Sequence, residues 1–124
     1  MPDKLYLPTE EEEQTTFVQW LGVKKLKFTA IPNSTYTLSW NQKRKNKATG
    51  VRKGLPDLLI IIPENTRSSN GGLIFIEMKR RKGGVVSPEQ KEWIAALNGV
   101  MNVEAWVCRG ADEAIKTMEK HIYP

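Results

Sequence analysis

With 124 residues, 40% of them hydrophobic and 27% charged, the chain suits one compact domain with a core over about residues 10–120 and leaves little room for a second. No apolar run approaches the ~20 residues that span a bilayer, and the start, MPDKLYLPTEEEE, lacks the basic and apolar stretches of a secretion signal, so a cytoplasmic protein that meets no membrane is expected. The lone Cys108 and the lone His121, close to the end of the chain, exclude an internal disulfide and the usual zinc ligand sets and argue against Ser–His or Cys–His catalysis.

The first predicted element is a helix capped by Thr9, with Glu10, Glu11, Glu12 and Glu13 at its positive end, Phe17, Trp20 and Leu21 at helical spacing, and Gly22 as its stop. Leu26 to Ile31 alternates as a half-buried strand does, and Pro32-Asn33-Ser34 breaks it. From Glu13 to Asp57 there is no acid, while Lys24, Lys25, Lys27, Lys43, Arg44, Lys45, Lys47, Arg52 and Lys53 are all basic, a distribution that points to a polyanion such as nucleic acid. Within that stretch, residues 39–53 predict a basic loop or short polar helix.

Leu58 to Ile62, bounded by Pro56 and Pro63, predicts a buried strand; residues 64–72 predict a turn and Leu73 to Met78 the second arm of an antiparallel hairpin. A second basic run, Lys79-Arg80-Arg81-Lys82, follows. Ser87-Pro88-Glu89-Gln90 starts a helix with a cap, a proline at its first position and an acid in its first turn, and Trp93, Ile94 and Leu97 give it an apolar face. Val103 to Cys108 predicts a fourth strand and Gly110 to Lys120 a last helix carrying Ala114, Ile115 and Met118. This order predicts an α/β domain, a mixed sheet of about four strands flanked by helices. Trp20, Trp93 and Trp106 are expected in the core, whereas Trp40, beside Lys43-Arg44-Lys45, is expected to touch nucleic acid.

Three polar residues stand where apolar strands begin or end: Asp57 at the mouth of one, Glu77 and Lys79 at the end of the next. Side chains two apart in a strand share a face, so Glu77 and Lys79 point one way and Met78 the other. Pairing through the turn brings Asp57 near Glu77, and two converging carboxylates repel unless a cation joins them; oxygen ligands favour a hard ion, Mg²⁺ or Mn²⁺.

Gly54-Leu55-Pro56-Asp57, then Ile76-Glu77-Met78-Lys79, then Ser87-Pro88-Glu89-Gln90-Lys91-Glu92-Trp93, resemble the PD-(D/E)xK nuclease superfamily and, within it, the virus-type replication-repair nuclease (VRR-NUC) domain. The resemblance runs from about Glu10 to Ile115 and takes in Ile31-Pro32-Asn33 and Val107-Cys108-Arg109-Gly110. It implies a restriction-endonuclease-like fold and phosphodiester hydrolysis dependent on Mg²⁺ or Mn²⁺. It further implies Asp57, Glu77 and the Met78 backbone carbonyl as metal ligands, Lys79 as the catalytic lysine and Gln90 as a residue that orders the site. The family also brings a glutamate of the first helix near the metal; here Glu10 and Glu13 both qualify by their helical faces.

The expected activity is thus Mg²⁺-dependent endonuclease cleavage of DNA in replication, repair or recombination. Lys43, Arg44, Lys45, Lys47, Arg52, Lys53, Arg80, Arg81, Lys82 and Trp40 are the expected DNA contacts. No motif that reads base sequence is visible, which favours recognition of branch shape, as in a four-way junction or flap. Similarity to junction resolvases suggests a homodimer. The competing readings are a noncatalytic DNA-binding module of the same fold and a restriction-type or RNA-directed nuclease.

Overall fold

A computed structural model of the chain describes residues 6–32, 39–64 and 71–122. Its elements follow the order α1 (Glu10–Val23), β1 (Lys27–Ala30), α2 (Trp40–Ala48), β2 (Leu58–Ile62), β3 (Gly72–Lys79), α3 (Pro88–Asn98), β4 (Val103–Arg109) and α4 (Ala111–Ile122). The expected break at Asn33-Ser34 and most of the expected turn, residues 65–70, lie outside the described residues.

Local chemistry sets the helix boundaries. Thr9 and Ser87 each start a helix with a reciprocal capping box, Thr9 with Glu12 and Ser87 with Gln90, satisfying amide groups that the first turn leaves free. Gly22, expected to stop α1, instead lies inside it. The helix closes where Lys25 adopts φ 59°, its N–H bonding to the Gly22 carbonyl and the Leu26 N–H to the Leu21 carbonyl. A lysine therefore takes the left-handed position that glycine usually fills, because this closure turns Leu26 back against the core beside Leu21.

The four strands form one mixed sheet in the order β1-β2-β3-β4, antiparallel at the first two junctions and parallel at the third. The hairpin pairs Leu58 with Ile76, and the crossover through α3 pairs Lys79 with Arg109. Strand alternation sends Leu58, Ile60 and Ile62 of β2 and Ile74, Ile76 and Met78 of β3 to one face. There they meet Phe17 and Leu21 of α1 and Ala111, Ala114 and Met118 of α4 in the main core. The run Leu58 to Ile62 is therefore not buried on both faces: Ile61 is 38% exposed, because an antiparallel strand near a sheet edge needs only one covered face. Trp106 likewise is not in the core but 41% exposed, its indole N–H held by Glu104 at 2.8 Å and its ring lying under the Lys120 ammonium. Trp20 is partly buried and stacks on Phe17.

β4 ends the sheet, and its outer side is closed by the chain itself. The Asn98 side chain at the end of α3 donates to the Ala105 carbonyl at 3.0 Å and accepts the Ala105 N–H at 2.8 Å, as a neighbouring strand would. The Arg109 N–H is likewise taken by the Glu113 carboxylate at 2.9 Å. Edge strands left open are templates for pairing with other chains. Replacing Asn98 with alanine is expected to lower unfolding stability by about 1–2 kcal/mol, the cost of stranding both backbone groups of a buried residue. Urea titration with far-ultraviolet circular dichroism measures this, and light scattering should show more association of the variant.

Candidate active site

Asp57 and Glu77 are brought together by the hairpin register. Leu58 pairs with Ile76, so Asp57 sits just beyond the last β2–β3 pair, level with the end of β3. Its Oδ2 accepts the Met78 N–H at 2.9 Å, which fixes the carboxylate against β3. A residue's N–H and C=O lie on the same side of an extended strand, so the Met78 carbonyl also projects toward Asp57. The next carbonyl, that of Lys79, turns the other way and accepts the Gly110 N–H. Asp57, Glu77 and the Met78 carbonyl thus share one corner of the sheet.

The segment leading into Asp57 is held from α3. Gly54 has φ +105°, and a Cβ there would lie 2.7 Å from the Glu89 backbone, so only glycine allows this approach. The Trp93 indole N–H donates to the Lys53 carbonyl at 3.1 Å, which places this partly buried tryptophan outside the core, as a strut beneath the segment.

Glu77 is 2% exposed and points away from the apolar core, on the face it shares with Lys79. Its Oε2 accepts Gln90 Nε2 at 2.8 Å and lies 3.5 Å from Lys79 Nζ. Its Oε1 has no hydrogen-bond partner among the described residues. Gln90 is aimed by its capping role: its Oε1 takes the Ser87 N–H at 2.8 Å, leaving Nε2 to face Glu77. Burial and the neighbouring Asp57 carboxylate push the Glu77 carboxyl up to about 8, against the opposing pull of Lys79. Asp57 is also raised, chiefly by burial, while its bond from Met78 N–H works the other way.

Of the two candidate glutamates on α1, Glu10 is the one that feels the site. Its carboxyl is raised by burial and by Asp57 and lowered by Lys79. Glu13, 2% exposed, is turned elsewhere: it accepts Arg81 Nε at 2.7 Å and the Ala111 N–H at 3.0 Å, capping α4. Arg81 is thereby occupied by Glu13. The loop after β3 is gripped a second time by Arg109, whose guanidinium donates to the Gly83 carbonyl at 2.7 Å and the Gly84 carbonyl at 3.3 Å. A Cβ on Gly84 would come within 3.7 Å of Lys79 Cδ, so this loop lies over the stem of the lysine. No pattern in the sequence marked Arg109 or Trp93 for these roles, since their partners are backbone carbonyls distant along the chain.

The remaining basic candidates are exposed: Lys43, Arg44, Lys45 and Lys47 on α2, Arg52 and Lys53 on the strap after it, and Arg80 and Lys82 beside the site. Lys53 lies 3.7 Å from Glu89, and Trp40 is 74% exposed.

The donor set fits a hard divalent cation. A buried carboxylate oxygen without a partner among the described residues, two carboxyls raised chiefly by burial and a main-chain carbonyl on the same side are what such an ion would relieve. Among the described residues no group of three or more His, Cys, Asp or Glu side chains is disposed to hold a metal. The set is therefore two carboxylates and a carbonyl, which suits Mg²⁺, an ion that keeps several waters.

A family model described as VRR-NUC domain matches residues 4–112. No curated protein sequence matches the chain. A solved structure described as "VRR_NUC domain protein" superposes with a TM-score of 0.70 at 27% identity, over 94% of this chain and 89% of that one.

The raised Glu77 carboxyl makes a stability prediction. Between its ordinary value of 4.5 and about 8 the folded protein keeps a proton that the unfolded chain releases, so stability falls as pH rises through that window. In chelator, Glu77→Gln is therefore expected to unfold at a higher temperature than wild type at pH 8, by a few degrees, at roughly 4 °C per kcal/mol for a domain of this size. The two proteins should converge near pH 4. Calorimetry across that range checks both ends, and added Mg²⁺ should raise the wild-type midpoint alone.

Proposed function

The chain belongs to the VRR-NUC domain family, a family of nuclease-type domains, and from that premise we propose that it is a Mg²⁺- or Mn²⁺-dependent endonuclease hydrolysing phosphodiester bonds in branched DNA. The observation that carries this is the corner where Asp57 and Glu77 converge beside Lys79 with one buried carboxylate oxygen unpartnered. Asp57, Glu77 and the Met78 carbonyl would hold the ion, with Glu10 at the rim. When bound, such an ion offsets phosphate charge and acidifies a water.

The protein's own groups supply the rest. Lys79, its stem covered by the Gly83-Gly84 loop, presents a fixed ammonium to the phosphate oxygen on which charge develops as the water oxygen bonds to phosphorus and the ester P–O bond breaks. Gln90 holds Glu77 in one rotamer, so the corner keeps its shape before substrate arrives. Arg52, Lys53, Arg80 and Lys82 are the phosphate contacts nearest the corner; Arg81 is already paired. Phosphate contacts position the substrate without reading sequence, which leaves branch geometry to set preference. A homodimer that cuts two strands is consistent with a four-way junction as substrate. Extension of the sheet through β4 is disfavoured as its interface, since Asn98 and Glu113 already occupy that edge. Among the described residues no helix is long and apolar enough to cross a membrane.

Labelled linear, flap and four-way-junction DNA should be cleaved with Mg²⁺ or Mn²⁺ and left intact in chelator. Lys79→Ala should slow cleavage by about 10²–10³-fold or more, while affinity measured in chelator changes only a few-fold, because one cation among many is lost. Undiminished cleavage in excess chelator overturns the metal-dependent mechanism, and near-wild-type turnover by Lys79→Ala overturns the site.

A further inference from the structure

The helix α2 is specified at both ends and, among the described residues, held by little between. Ser39 accepts the Gln42 N–H at 3.1 Å at its start. At its end Gly50 takes φ +95°, with its N–H on the Lys47 carbonyl at 3.2 Å and the Val51 N–H on the Asn46 carbonyl at 2.8 Å, the double closure in which glycine fills the left-handed position. Yet none of its residues is buried, and it has no substantial packing against another described helix or strand.

Such a helix is marginal on its own. It has nine residues, where isolated helices in water need about 12–15 even in alanine-rich sequences. Lys43, Arg44, Lys45 and Lys47 crowd it with no acid among them, and the i,i+4 pair Lys43–Lys47 is repulsive. Trp40, Lys43, Arg44 and Lys47 follow the i, i+3, i+4, i+7 pattern, so one face carries three cations and an exposed indole. The partner that matches this face is a polyanion. With its side chains an α-helix is about 10–12 Å across, which fits the ~12 Å width of a B-DNA major groove. The strap from Thr49 to Lys53 joins it to Gly54, wedged against α3, so a duplex gripped by α2 is held a few residues from Asp57.

We infer that α2 completes its folding on duplex DNA, its Trp40–Lys43–Arg44–Lys47 face laid against the phosphates, so that helix formation and substrate binding are one coupled event. This rests on the nuclease reading and deepens it. Neutralised phosphates remove the repulsion among the lysines, and the ordering cost falls on the binding step.

Hydrogen exchange read by mass spectrometry on the full chain, in chelator so that nothing is cut, tests it with a 20-base-pair duplex as probe. Peptides over residues 40–50 should exchange close to the unprotected rate in the free protein and slow by about tenfold or more on the duplex, while β2 and β3 change little. Asn46→Ala, off the basic face, gains helix propensity but gives up the hydrogen bond from Gln42 Nε2 at 2.8 Å, so it should tighten duplex binding by up to about twofold, as expected when ordering is less costly. Lys43→Gln, Arg44→Gln and Lys47→Gln together should weaken binding and flatten the log affinity against log salt slope by roughly 2–3 units. Duplex binding with unchanged exchange over residues 40–50 and an unchanged salt slope overturns the inference and leaves the nuclease reading standing. Equal protection by heparin overturns duplex DNA as the partner. Failure to bind any DNA overturns both.

Discussion

Two carboxylates placed in one buried corner repel each other, and much of the surrounding structure answers that repulsion. Asp57 and Glu77 both lose water, which raises both carboxyls, and the Asp57 charge raises Glu77 further. The fold supplies the Met78 N–H to one, and Gln90 Nε2 and Lys79 Nζ to the other. The crossover through α3 delivers Gln90, its first-turn capping box sets the amide orientation, and the loop over Lys79 keeps the ammonium from leaving. The arrangement is stable enough to persist and still leaves one buried oxygen of Glu77 unpartnered among the described residues. A site held slightly short of satisfaction is one that gains by taking up a cation.

The clamps around this corner come from elements far apart in sequence. Glu13 of α1 holds Arg81 and caps α4, joining the first helix, the last helix and the loop between β3 and α3. Arg109, opposite Lys79 in the parallel register, holds the same loop by two carbonyls. From α3, Glu89 and Trp93 support the segment before Asp57 while Gln90 reaches Glu77, so one helix fixes both carboxylates.

Much of this was legible in the sequence because it depends on short-range rules. The two-residue period of strands put Glu77 and Lys79 on one face, proline and glycine marked the hairpin, and Ser87-Pro88 marked the start of α3. The difference between Glu10 and Glu13 was not legible: both lie in the first turn of α1, and what turns Glu13 away from the corner is Arg81, 68 residues away. Gly22 misled because the hydrophobic return of Leu26 outweighed the conformational preference of a single residue. Trp106 and Ile61 misled because hydrophobicity does not say which strand ends the sheet or which of its faces is covered. Residues 39–53 do not decide between a loop and a polar helix, since only the caps of α2 and not an apolar stripe announce it.

The isolation of α2 has a consequence for how such a domain can change over time. A segment that carries its own start and stop signals and contributes no side chain to the core can be lengthened, shortened or recharged without moving a strand out of register. Asp57, Glu77, Lys79 and Gln90 have no such freedom, since each is tied to partners on other elements. Mutation can therefore vary the charge and length of the chain on one side of Gly54 while packing holds the carboxylate corner on the other, so the two halves of the molecule are free to diverge at different rates.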